Sequence, residues 1–129
     1  MILINFTVHG QPVPKQSFRV GQTGGYIDEK VTQWQENVGW EALAARQRRE
    51  LELLKGPVKV WLEFYMATDR KVDVDNLAKA VLDSCNGVLW EDDRQVVNLH
   101  ILKRTSKCPR AEVTVQELTE ADLHELREA

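Results

Sequence analysis

The chain is poor in the features that mark several large protein classes. No apolar run approaches the roughly 20 residues that a membrane-spanning helix requires, so the sequence predicts no membrane partner. The opening residues, Met1 to Phe6, lack the basic start of a signal peptide and lead straight into a strand pattern, which predicts a cytoplasmic protein. Only two of the 129 residues are cysteines, Cys85 and Cys108. They have no metal-ligand spacing and read as free thiols in a reducing compartment. His9, His100 and His124 share no ligand spacing either. No internal repeat, low-complexity segment or long polar tract is present, which excludes solenoids and disordered chains. An excess of basic charge is missing too, since the net charge is −3.

What is present bounds the answer from the other side. The length suits one domain, and 43% hydrophobic residues can build a core. The charge is unevenly placed. Residues 112 to 129 hold six acids and one base, so the other 111 residues carry 16 bases and 14 acids. Arg94 to Arg110 contains five bases and no acid. The surface of the main body can therefore be locally basic while the whole chain is acidic.

Periodicity predicts the elements. Ile2 to His9 reads as a strand. Gly10 to Tyr26 is a long turn-rich loop carrying Lys15 and Arg19, and loops of this length in small domains are usually functional. Asp28 is placed to cap a helix running to about Glu50, with Val31, Trp34, Val38, Ala42 and Ala45 at helical spacing. Val58 to Met66 is a strand rich in β-branched and aromatic residues. A second helix is expected from Asp75 or Asn76 to Gly87, a glycine suited to the C′ position. Gln95 to Arg104 and Ala111 to Leu118 are strands. Thr119 is placed to cap a short acidic helix. The expected fold class is α+β, a small mixed sheet of about four strands with two main helices in the order β-α-β-α-β-β. Residues 1–118 form one domain and 119–129 an acidic tail or short helix.

Two groups of carboxylates flank the second helix: Asp73 and Asp75 before it, Asp92 and Asp93 after it. If the chain is extended at Asp73 to Asp75, both side chains point the same way, with Cα atoms roughly 6–7 Å apart. If the third strand lies beside the second, the two groups meet at one sheet edge. Hard oxygen donors gathered in this way suit magnesium, which takes a few carboxylates plus water and a substrate phosphate. Lys79, one helical turn after Asp75, can steady developing negative charge. Structural readings stand beside this one. Asp75 can be an N-cap, worth about 0.5–2 kcal/mol. Asp75 and Lys79 can form an i, i+4 ion pair, worth about 0.2–0.5 kcal/mol. Asp92 and Asp93 can be turn residues.

The ordered set Asp73-Val74-Asp75-Asn76-Leu77-Ala78-Lys79, then Asp83, then Trp90-Glu91-Asp92-Asp93-Arg94-Gln95-Val96 resembles the signature of the RusA family of Holliday-junction resolvases. The segment Gly10-Gln11-Pro12-Val13-Pro14-Lys15, with Arg19 and Tyr26, is similar to the family's opening loop. The resemblance spans about residues 8 to 118. It implies a homodimer that cuts branched DNA at four-way junctions in recombination and repair, using magnesium, with manganese able to substitute. It also implies Asp73, Asp75 and Asp93 as metal-binding acids, with Asp92 as a further acid and Lys79 as the catalytic lysine. Lys15, Arg19 and Lys71 are implied as DNA contacts. A bacterial cytoplasm, with phage or prophage DNA as a source, is the implied setting. A non-catalytic DNA-binding module of the same fold and a nuclease for flaps or forks are the alternatives.

Overall fold

A computed structural model describes residues 2–15, 29–68 and 71–128. The elements follow in the order β1 (Leu3–His9), α1 (Glu29–Arg48), β2 (Val58–Met66), α2 (Val74–Cys85), a single 3-10 turn (Asp93–Gln95), β3 (Val96–Thr105), β4 (Arg110–Glu117) and α3 (Glu120–Glu125). The sheet has the order β1-β4-β2-β3. β4 runs antiparallel to both β1 and β2, while β3 lies parallel to β2. The fold is therefore α+β with a mixed four-stranded sheet, as the periodicity predicts.

The core follows from alternation. In β2 every second residue, Val58, Val60, Leu62, Phe64 and Met66, is buried against the helices. β1 contributes Ile4, Phe6 and Val8, and β4 contributes Ala111, Val113 and Val115. α1 buries the stripe Val31, Trp34, Val38, Ala42 and Ala45, the set expected from its spacing. α2 buries Leu77, Ala78, Ala80, Val81 and Cys85. Trp34 thus serves the core, whereas Trp40 is 70% exposed on α1 and Trp61 stacks on His100.

The parallel pairing of β2 with β3 requires a crossover, and α2 supplies it. α2 leaves the end of β2 and runs back over the sheet. The chain then turns at Gly87, which has φ +74 and stands just past the C-cap Asn86, the place where a glycine is expected. The Gly87 N–H donates to the Trp90 carbonyl at 2.7 Å. Trp90 is fully buried and donates its indole N–H to Asn86 Oδ1 at 2.8 Å. The head of α2 therefore stands at the C-terminal end of the parallel strands, and its foot stands where β3 begins. Two corrections to the expected boundaries matter. α2 begins at Val74, which makes Asp73 rather than Asp75 the N-cap residue. The expected cap Asp28 lies outside the described residues, as do Arg19 and Tyr26.

Candidate active site

The head of α2 carries the first acids. Asp73 has extended backbone (φ −69, ψ 129), but its side chain caps nothing. Asp75 lies within the first helical turn, and its Oδ1 accepts the Asn76 N–H at 2.9 Å. The run from Asp73 to Asp75 is thus not extended throughout, and the two side chains are not the matched pair of a strand. Both residues are exposed. Lys79 is exposed too and forms no ion pair among the described residues, so the expected Asp75–Lys79 alternative is not made. Lys71 is exposed in the segment leading into the helix. That segment is tied to the sheet: Lys103, on β3, donates its ammonium to the Val72 carbonyl at 2.8 Å. In the sequence Lys103 is one of the five bases between Arg94 and Arg110. Only the pairing of Phe64 with Lys103 brings it beside the helix head.

The foot of α2 carries the second group, and here neighbouring acids have different duties. Asp92 caps the 3-10 turn through a capping box: its Oδ1 accepts the Arg94 N–H at 2.9 Å, and Gln95 returns a bond to the Asp92 N–H at 3.1 Å. The Arg94 backbone N–H, aided by the Arg94 guanidinium, holds the Asp92 carboxyl below the usual carboxylate range. Asp93 is half-buried, and burial, followed by the adjacent Asp92 and by Asp83, pushes its carboxyl above that range. Asn86 opposes the shift with a hydrogen bond. Asp83 pairs with Lys15, and the Lys15 backbone N–H donates to the Asn76 carbonyl at 3.0 Å. Lys15, expected at DNA, is therefore spent at least partly on holding its loop to α2.

Gln95 is the residue whose duty the sequence did not reveal. Its Oε1 accepts from the Glu91 and Asp92 N–H groups, and its Nε2 donates to the carbonyls of Leu54 (2.8 Å) and Gly56 (3.0 Å). One side chain thus fastens the acidic turn to the segment that leads into β2. Its place in the motif was visible, but its partners lie about forty positions away.

The two acidic groups do not meet within one chain. β3 does lie beside β2, yet it is parallel to it, so Asp93 stands at the start of β3 while Asp73 and Asp75 stand beyond the end of β2. Asp75 and Asn86, the neighbour of Asp93, are eleven residues apart along α2, about 16 Å at 1.5 Å per residue. Among the described residues no three His, Cys, Asp or Glu side chains gather closely enough to hold a metal ion. The donor chemistry still fits a hard divalent cation. Asp73 has oxygens that the helix does not use, and Asp93 is a carboxyl crowded by Asp92 and Asp83.

The family model for Endodeoxyribonuclease RusA matches residues 9–116 of the chain. The chain belongs to the RusA family. RusA proteins are endodeoxyribonucleases, hydrolases that act on DNA. Relatives fall into two kinds. An uncharacterized protein, YqaN, of Bacillus subtilis is 31% identical over 144 residues, covering 92% of this chain and 99% of its own. The crossover junction endodeoxyribonucleases RusA of Escherichia coli K12 and of Enterobacteria phage 82 are each 39% identical over 64 residues. Those matches cover 48% of this chain, and they span about half the length of the RusA enzymes themselves, 53%.

Proposed function

We propose that this chain is a divalent-metal-dependent endonuclease that resolves four-way DNA junctions by paired, symmetric cuts. The observation that carries this reading is the unused chemistry at α2. Among the described residues the Asp73 side chain caps nothing and Lys79 forms no ion pair, and burial followed by the adjacent carboxylates pushes the Asp93 carboxyl upward. Structural acids behave like Asp92, which is fully engaged in a cap. Residues 1–118 form the nuclease unit, and 119–129 are an appended acidic segment. The substrate is branched DNA in a bacterial or phage setting, inside the cell.

Asp73, Asp75 and Asp93 would hold magnesium, or manganese in its place. Such an ion, when bound, supplies charge neutralisation at the scissile phosphate and lowers the pKa of a water. The chain's own residues do the rest. The N-terminal end of α2 orients the phosphate through the positive end of the helix dipole. The Lys79 ammonium, one turn along, steadies negative charge on the phosphate oxygens as the bond breaks. Burial, and after it the neighbouring carboxylates, push the Asp93 carboxyl upward, and a bound cation would offset that crowding.

Since the head and foot acids of one α2 stand far apart, a site that uses both joins two chains. A C₂ pair then carries two such sites, matching the near two-fold symmetry of a junction and the need for two nicks. A synthetic four-way junction, labelled strand by strand and supplied with magnesium, tests the activity. Symmetric paired nicks are expected. No cutting, or equal cutting of linear duplex, overturns the reading. The two-chain site has its own test. Asp75→Asn and Asp93→Asn are each inactive, but mixed and allowed to exchange subunits they regain single-strand nicking, because one of the two sites in the mixed pair keeps both acids. Absence of regained nicking between exchanging subunits places the site within one chain.

A further inference from the structure

We infer that the face of the sheet opposite the helices is a platform for single-stranded DNA, with bases stacked on Trp61 and His100 and phosphates held at the end where Arg104 and Lys107 stand. It rests on the DNA substrate of the family, and on neither cleavage nor the two-chain site. The platform follows from alternation. β2 gives Val60, Leu62 and Phe64 to the helices, so Trp61, Glu63 and Tyr65 point to the other face. The register sets His100 and Arg104 of β3 on one side of Trp61 and Tyr65, and Thr114 and Arg110 of β4 on the other. None of these outward residues is buried, and His100 and Arg104 are exposed. A strand's solvent face normally carries polar residues. Here two central positions are aromatic, and each has a cation over its ring.

Two observations identify the occupant. The first is stacking. The Trp61 and His100 rings lie nearly parallel, with 5.9 Å between centroids and 16° between planes, and Lys59 Nζ stands 4.6 Å from the centre of the Trp61 ring. The Arg110 guanidinium lies 3.9 Å from the centre of the Tyr65 ring. Unpaired bases stack on flat groups of this kind, since every base has a π-face. A duplex hides those faces, so the platform selects single strands. The second is charge. The two acids between Trp61 and Tyr65 are already engaged: Glu63 accepts from the Tyr65 hydroxyl at 2.6 Å, and Glu112 accepts from Arg110 at 3.0 Å. Arg104 and the exposed Lys107 form no ion pair among the described residues, which leaves them for phosphate. They stand at the end of the face where β2 finishes, at Met66, and after which the head of α2 follows at Val74. A strand lying along the platform is therefore led toward Asp73 and Asp75.

The test uses the full chain without metal, so that cutting does not intervene. Its probe is a fluorescent oligothymidylate of about 12 nucleotides, within the span that single-strand platforms occupy, beside a duplex of the same length. Fluorescence anisotropy is expected to show single-strand binding that Trp61→Ala and His100→Ala each weaken about tenfold, with duplex binding unchanged. Arg104→Ala lowers the slope of log affinity against log salt by about 0.7, the share of one single-strand phosphate contact. Trp40→Ala, which removes the exposed tryptophan of α1, changes neither. Circular dichroism checks each fold, and the exposed His100 and Arg104 carry the test if Trp61→Ala does not fold. The inference is overturned if the parent does not bind the oligothymidylate, if the folded variants bind it as the parent does, or if they lose duplex binding equally. Junction nicking by the parent, with magnesium, is measured in parallel. Nicking without single-strand binding sinks the platform and leaves the proposed function. Single-strand binding that the variants lose, in a parent that does not nick, does the reverse.

Discussion

The head and foot of α2 carry acids of the same kind in opposite circumstances. At the head, Asp73 and Asp75 are exposed, with no positive partner among the described residues. At the foot, Asp92 caps a turn, Asp83 pairs with Lys15, and Asp93 is crowded by burial and by its neighbouring carboxyls, with a hydrogen bond to Asn86 opposing them in part. The contrast separates acids that build the fold from acids that the fold tolerates. A carboxylate that does nothing for stability, at a position where its charge is unwelcome, is one retained for chemistry.

Substitutions can break this comparison, and the largest effect is expected at the acids assigned to chemistry. Asp75→Asn and Asp93→Asn are expected to retain junction binding and lose cleavage by more than the roughly 10–100-fold typical of groups that only support a metal ligand. Near-normal cleavage by either, in a strand-nicking assay, removes that residue from the site. Asp93→Asn also has a thermal signature. A carboxyl whose folded pKa is raised weakens the fold as pH rises through its ordinary range toward the raised value, so at neutral pH the metal-free protein should melt higher when that charge is removed. Magnesium should raise the melting temperature of the parent and not of this variant. A fall in melting temperature for Asp93→Asn without metal contradicts the crowding described here.

Lys79→Ala should cost about 10²–10³-fold in nicking rate, the scale of losing one group that stabilises developing charge, with the fold unaffected. Gln95→Ala removes bonds that join the acidic turn to Leu54 and Gly56, and should cost about 1–3 kcal/mol in urea unfolding. The smallest effect belongs to Asp92→Ala, a lost cap worth about 0.5–2 kcal/mol, with nicking largely kept. The Asp92 contribution is present above the ordinary carboxylate pKa and is lost as pH falls through its lowered folded value, the opposite sign from Asp93. If Asp92→Ala abolishes nicking while Asp93→Asn does not, the two roles are exchanged.

Much of this was legible in the sequence. The β-branched and aromatic run Val58 to Met66 and the helical spacing from Val31 to Ala45 are local signals, and both hold in the fold. Gly87 was readable because a left-handed turn after a helix favours glycine. The relation between the acidic groups was not readable. It depends on whether β3 runs parallel or antiparallel to β2, and that is settled by the length of the crossover and the order of the strands. A parallel pairing places the start of β3 at the far end from the head of α2, so adjacency of strands did not bring the acids together. Lys103 and Gln95 were opaque for the same reason, since their partners are fixed by register and not by sequence distance.

The strand order also governs how the molecule comes into being. β1 has one neighbour, β4, and Leu3 is paired with Gln116. β4 is equally the antiparallel neighbour of β2. During synthesis the first strand therefore remains without a hydrogen-bonding partner until almost all that follows has emerged, and its closing pairs span more than a hundred residues. Such long-range closure is slow. A nascent chain stopped before Arg110 holds β1 and β2 with nothing to join them, and the crossover helix that bears Asp75 rests on half a sheet.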